Sequence, residues 1–156
     1  MRLALFEPDI PQNTGAILRL AACFSVSVDI IEPCGFILSN RLLKRSGMDY
    51  INQVDMKVHE SWDSYLSSQR KGQIGRIILL TTKAKQRYTD FKFNQTDILL
   101  FGSESSGVPI AIHGTVDARL VIPITSQSRS LNIVTTAAIV VGEALRQTNT
   151  YPEYKA

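Results

Sequence analysis

A chain of 156 residues, 44% hydrophobic and 20% charged, carries enough apolar material for one domain with its own core and lacks the depletion that marks disorder. No apolar run approaches the roughly 20 residues of a membrane-spanning helix, and the apolar start Met1–Phe6 gives way to Glu7 and Pro8 without a signal-peptide core. The net charge of +3 and pI near 9.0 lean toward a polyanionic partner.

The chain opens on a strand, Leu3–Phe6, followed by a helix for which Asn13 is a plausible N-cap. Ile17, Leu20, Ala21 and Phe24 fall on one face of that helix at the i, i+3, i+4, i+7 spacing. Arg19 is its one charge and points away from that face. A second strand is predicted over Val26–Ile31, a weaker one over Val54–Val58, and a helix around Trp62–Leu66. Further strands are predicted at Arg76–Leu80, Ile98–Phe101 and Leu120–Ile124. This alternation is that of a single α/β domain over residues 1–156, with a mostly parallel sheet flanked by helices. The last helix, Asn132–Gln147, is apolar or small almost all round, so it is covered either wholly within the monomer or also by a second subunit.

Two basic clusters, Arg41/Lys44/Arg45 and Lys83/Lys85/Arg87, read equally as solvated faces or as phosphate-contacting surfaces. Cys23 and Cys34 have no C-x-x-C spacing, and two buried thiols in a reducing cytoplasm are expected. His59 and His113 sit in no metal or triad motif, and no metal is expected.

Three strands of the second half end in loops of small and hydroxyl residues: Thr81-Thr82-Lys83, Gly102-Ser103-Glu104-Ser105-Ser106-Gly107 and Thr125-Ser126-Gln127-Ser128-Arg129-Ser130. Ligands of open α/β sheets bind beyond the carboxyl ends of strands, so these loops predict a pocket. Neither a G-x-x-x-x-G-K-[ST] loop nor a G-x-G-x-x-G turn is present, which disfavours a polyphosphate or dinucleotide. An adenosine-bearing cofactor without phosphates suits the loops better.

The stretches Pro11–Leu20 (PQNTGAILRL), Phe101–Pro109 (FGSESSGVP), and Ile122-Pro123-Ile124 with Ser128–Asn132 (SRSLN) resemble the three ordered motifs of the SpoU-TrmH (SPOUT) methyltransferases. Glu7-Pro8, Ile31–Phe36 and Arg45–Tyr50 further resemble the minimal members that methylate the wobble nucleotide of tRNA, C or U at position 34. The similarity spans nearly the whole chain. It implies a C-terminal trefoil knot, a homodimer formed partly by the last helix, and S-adenosylmethionine held in the knot by Leu80, Gly102, Ile122, Ser130 and Leu131, largely through backbone groups. It maps the hydroxyl-activating arginine to Arg19, beside the cofactor of the other subunit. Because a guanidinium is normally always protonated, Arg19 reads as an alkoxide stabiliser or phosphate clamp.

Asn13, Glu104, Ser130 and Asn132 match other functional positions of the family and are expected to order the loops or hold the ribose; Glu104 serves equally as a loop brace. The chain departs from the pattern at Ser106, where relatives often carry arginine, at Gly142, where they often carry tyrosine, and at Leu131, which replaces a common methionine. The implied activity is 2'-O-ribose methylation of tRNA in the cytoplasm. The alternatives are methylation at another RNA site, ribosomal RNA included, and a noncatalytic RNA-binding module on the same scaffold.

Overall fold

The computed structural model describes residues 1–38, 53–72 and 75–153. The Arg41/Lys44/Arg45 cluster and the Arg45–Tyr50 stretch lie outside the described residues. Seven strands, β1 (Arg2–Phe6), β2 (Ser27–Ile31), β3 (Met56–His59), β4 (Ile77–Leu80), β5 (Gln86–Arg87), β6 (Ile98–Phe101) and β7 (Ala118–Val121), form one sheet in the order β3-β2-β1-β6-β4-β7-β5. Each of these pairings is parallel. The three described α-helices are α1 (Pro11–Phe24), α2 (Trp62–Gly72) and α3 (Ile133–Thr148).

The central strands are buried on both faces and therefore read as continuous apolar runs: all four residues of β4 and of β6 are buried. One face packs Leu3, Leu5, Ile78, Leu99 and Leu120 against Ile17, Leu18 and Ala21 of α1 and Ala137, Val140 and Ala144 of α3. The other packs Ala4, Phe6, Leu79 and Leu100 against Tyr65 of α2 and against Val108 and Ile112. The sheet is thus covered on both sides, as a parallel sheet must be.

Several expectations are corrected. Helix α1 starts at Pro11 with Ile10 at the N-cap and no side-chain cap; proline needs no hydrogen bond at the first helical position, so the helix starts there and Asn13 falls inside its first turn. Leu18 is buried on α1 while Leu20 and Phe24 are only half-buried, and Phe24 meets Tyr151 of the tail edge-on at 5.8 Å. Cys23 is exposed rather than buried, and Cys34 is intermediate. The last predicted strand ends at Val121, not Ile124, and β5 was not expected at all. A two-residue strand has no periodicity to read.

Toward the β3 edge of the sheet a buried carboxylate joins three strands. Asp29 of β2, wholly buried, accepts from Arg2 of β1 at 2.8 and 2.9 Å and lies 3.1 Å from Nε2 of His59 of β3. Arg2 also donates to Asp55 at 3.0 Å, whose side chain is 59% exposed. Burial separates the two carboxylates energetically. Asp29→Ala leaves a largely buried guanidinium without its buried partner and is expected to lower unfolding stability by about 3–5 kcal/mol. Asp55→Ala is expected to cost no more than about 1 kcal/mol. Paired urea titrations check the contrast, which fails if the two variants fall together.

Candidate functional site

A cavity of about 450 Å³ opens at the carboxyl ends of β4, β6 and β7. Its floor is apolar, with Leu80, Phe101, Leu120 and Ile122, and its rim carries Thr81, Thr82, Ser103 and Ser130. The three loops singled out by sequence converge there because their strands are neighbours, β6-β4-β7. Leu80, Gly102, Ile122, Ser130 and Leu131 all line it, as do Asn13, Glu104 and Asn132. Arg19 is exposed on α1 and is not among the lining residues.

The middle loop is closed by its own backbone. The N–H of Gly107 donates to Ser103 O at 2.9 Å, the Ser103 N–H returns to Gly107 O at 3.2 Å, and the Ser103 and Ser106 hydroxyls meet at 2.7 Å. Gly107 has φ 70°, a conformation that favours glycine. A side chain at Gly102 would come within 2.4 Å of the Gly107 backbone, so the loop can fold back on itself only over a bare Cα.

A run of polar contacts then ties this loop to distant segments. Asp9, just ahead of α1, accepts from the backbone N–H groups of Glu104 and Ser105, each at 3.1 Å. Glu104 accepts from the Asp9 N–H at 3.3 Å and from Asn13 Nδ2 at 2.8 Å. Asn132 Nδ2 donates to Asn13 Oδ1 at 3.3 Å, while Asn132 Oδ1 caps α3 by accepting from the Val134 N–H at 2.8 Å. Asn13 therefore links the first motif to the other two, and it is Asn132 that acts as a helix cap. Glu104 is a brace whose residue also faces the cavity.

The paired carboxyls move apart. The hydrogen bond from Glu104, together with those from Ser105, holds Asp9 down at about 2. Burial, then the neighbouring Asp9, pushes Glu104 above the usual carboxylate range. On acidification Glu104 takes its proton first and can then donate to the Asp9 carboxylate.

Sequence reasoning missed Asp9 and His113. Asp9 is one of two acidic residues near the N-terminus, with Glu7, and only its reach across to the second motif distinguishes it. His113 is buried and among the lining residues, its Nε2 3.1 Å from the Val108 carbonyl, and its Nδ1 makes no hydrogen bond within the described residues. Such placement gives no signal in a single sequence. The cavity suits an adenosyl ligand without phosphates: the floor is apolar, hydroxyl and backbone groups ring it, and Lys83 is the single lysine or arginine among the described lining residues.

Residues 1–142 match the model of the SpoU rRNA Methylase family. The tRNA (cytidine(34)-2'-O)-methyltransferase of Beijerinckia indica subsp. indica is 53% identical over 146 residues, covering 93% of this chain and 90% of the relative. A solved structure concerned with 2-OH methylation of C/U34 on tRNA superposes with a TM-score of 0.87 at 35% identity, covering 94% of both chains. The SpoU methyltransferase AviRb of Streptomyces viridochromogenes, in complex with the cofactor AdoMet, superposes at 0.81 and 21% identity over 94% of this chain and 57% of that one, a likeness of fold.

The lowered Asp9 carboxyl is one contributor to the acid behaviour of the fold. A carboxyl held below its unfolded value of about 3.9 contributes stability above that value and loses it as pH falls from there through about 2. Glu104, raised, works with the opposite sign, so its protonation during milder acidification favours the folded form. The unfolding midpoint of Asp9→Asn is therefore expected to fall less than that of the wild type between about pH 4 and pH 2. Parallel acid titrations would refute the assignment.

Proposed function

Because this chain belongs to the SpoU rRNA methylase family, we propose that it is an S-adenosylmethionine-dependent enzyme that methylates the ribose 2'-hydroxyl of the wobble nucleotide of tRNA, C or U at position 34. The observation that carries this reading is the convergence of all five candidate cofactor residues, with Asn13, Glu104 and Asn132, on one cavity at the strand ends. The substrate follows from the full-length similarity to tRNA (cytidine(34)-2'-O)-methyltransferases.

When bound, S-adenosylmethionine supplies a methyl group already activated on a sulfonium. Leu80, Gly102, Ile122, Ser130 and Leu131 hold it through the strand ends and loops. Asn13, Glu104 and Asn132 keep those loops at a fixed distance and, with Ser130, present donors and acceptors to the target ribose. The protein's contribution is alignment for in-line displacement and stabilisation of the oxygen as it loses its proton to solvent. Arg19 supplies the positive charge at that oxygen.

Arg19 reaches the reacting atoms from a second subunit in this reading, since it stands outside the cavity of its own chain. The surface of α3 supports a homodimer: Thr135 and Ala138 are exposed and Ile139 half-buried, an uncharged face. The implied trefoil knot is supported by the stretch 81–85. Leu80 and Gln86 both pair with Leu120, on opposite sides of β7, so this short stretch straps across β7. The enzyme acts as a single domain in the cytoplasm.

Labelled methyl transfer to cellular tRNA lacking this modification is expected to yield 2'-O-methylcytidine or a 2'-O-methyluridine derivative in the anticodon. Product elsewhere would assign another RNA site, and cofactor binding with no transfer to any RNA would favour a binding module. Arg19→Ala is expected to lower turnover roughly 100- to 1,000-fold with cofactor affinity within about twofold; unchanged turnover removes Arg19 from the chemistry. Sedimentation at micromolar concentration is expected to show a dimer, and a fully active monomer would overturn the shared site.

A further inference from the structure

The second basic cluster is not absorbed by the cofactor site, and its place in the fold gives it a direction. Lys83 is on the cavity rim. From there the strap runs outward across β7 to Lys85 and Arg87, and β5 is the open edge of the sheet. In register, Arg87 lies opposite Val121, and Arg119 lies two positions earlier on the same strand. Side chains alternate along a strand, so Arg87 and Arg119 stand on one face of this edge. Arg129 follows in the loop after β7, next to Ser130 of the cavity.

All five cations are exposed, and none makes an ion pair within the described residues. The acidic side chains nearest in the chain are committed elsewhere: Asp90 accepts from the Thr89 hydroxyl and Asp117 from the Ile77 N–H. An edge strand bearing lysine and arginine also discourages sheet-to-sheet association. That role does not call for further cations on β7 and on the rim of the cavity. A line of unpaired charge leading from a reaction cavity fits the backbone of the strand whose ribose must enter it.

We propose that Lys85, Arg87 and Arg119, continuing from Lys83 and Arg129 at the rim, form a track for the phosphates flanking the target nucleotide of tRNA. The inference rests on the methyltransferase reading and adds to it the surface that delivers the substrate. Lys83 to Arg87 spans roughly 13 Å if extended, long enough to engage successive phosphates of an anticodon loop.

The test is the triple variant Lys85→Glu/Arg87→Glu/Arg119→Glu, with Arg70→Glu/Lys71→Glu on α2, which packs by β3 at the opposite edge of the sheet from β5, as a control that reverses charge away from the track. Its KM for tRNA is expected to rise at least tenfold, with the affinity for S-adenosylmethionine unchanged. Neutralising these three contacts instead, as Lys85→Ala/Arg87→Ala/Arg119→Ala, is expected to flatten the dependence of log affinity on log salt by about 2, from a slope of about 0.7 per phosphate contact. The alanine variant also guards against misfolding of the charge-reversed one. Lys85→Arg/Arg87→Lys/Arg119→Lys is expected to keep wild-type KM.

A KM within twofold of wild type, an equal loss in the α2 control, or aggregation with unaltered tRNA affinity overturns the track. These results are distinct from failure of the methyltransferase reading. A wild type that binds tRNA with the predicted salt slope but transfers no methyl group would sink that reading and leave the track standing.

Discussion

The hydrogen bonds that pass from Asp9 through Glu104 and Asn13 to Asn132 are the constraint on which the site depends. They join a segment before the first helix, a loop after the central strand β6, and the start of the last helix. Each bond alone contributes on the order of 1 kcal/mol, less than the packing beneath it. Their effect is positional. A parallel sheet fixes where strands end but leaves the loops beyond them free, and this polar run sets the loops against one another.

The same run explains why the motifs contain amides and carboxylates where apolar residues would pack more simply. Asn13 offers a donor to Glu104 and an acceptor to Asn132 through one rigid group. Aspartate could serve only one of those partners without protonation, and alanine neither. Asn132 likewise accepts from Val134 and donates to Asn13, so the orientation of α3 is registered at the cavity through a single side chain. Sites built this way stay polar enough to admit a hydroxyl substrate while remaining ordered.

The parallel core was legible because its strands are buried on both faces and appear as apolar runs; Ile98–Phe101 emerged with unchanged limits. The pocket was legible because its loops follow those strands directly. Three features were hidden for physical reasons. Proline took over the start of α1, so the capping signal at Asn13 had another purpose. The edge strand β5 is defined solely by pairing with β7, a contact no local pattern encodes. At Gly142, Tyr151 folds back from the tail, its hydroxyl donating to the Gly142 carbonyl at 2.9 Å, a contact between segments that no local pattern announces.

The strap across β7 carries a consequence for the order in which the chain can be assembled on the ribosome. Strand β5 is made before β6 and β7, yet β7 is its one neighbour in the described sheet. Until β7 emerges, β5 has nothing to pair with, and the stretch linking it to β4 spans a gap that a later strand has yet to fill. The cavity rim at Thr81, Thr82 and Lys83 lies on that same stretch. Nascent chains ending before Ala118 therefore hold β1, β2, β3, β4 and β6 without a complete ligand site, and cofactor binding becomes possible only near the end of synthesis. Non-local pairing of this kind slows folding, and here it delays the chemistry until the last helix is ready to close over it.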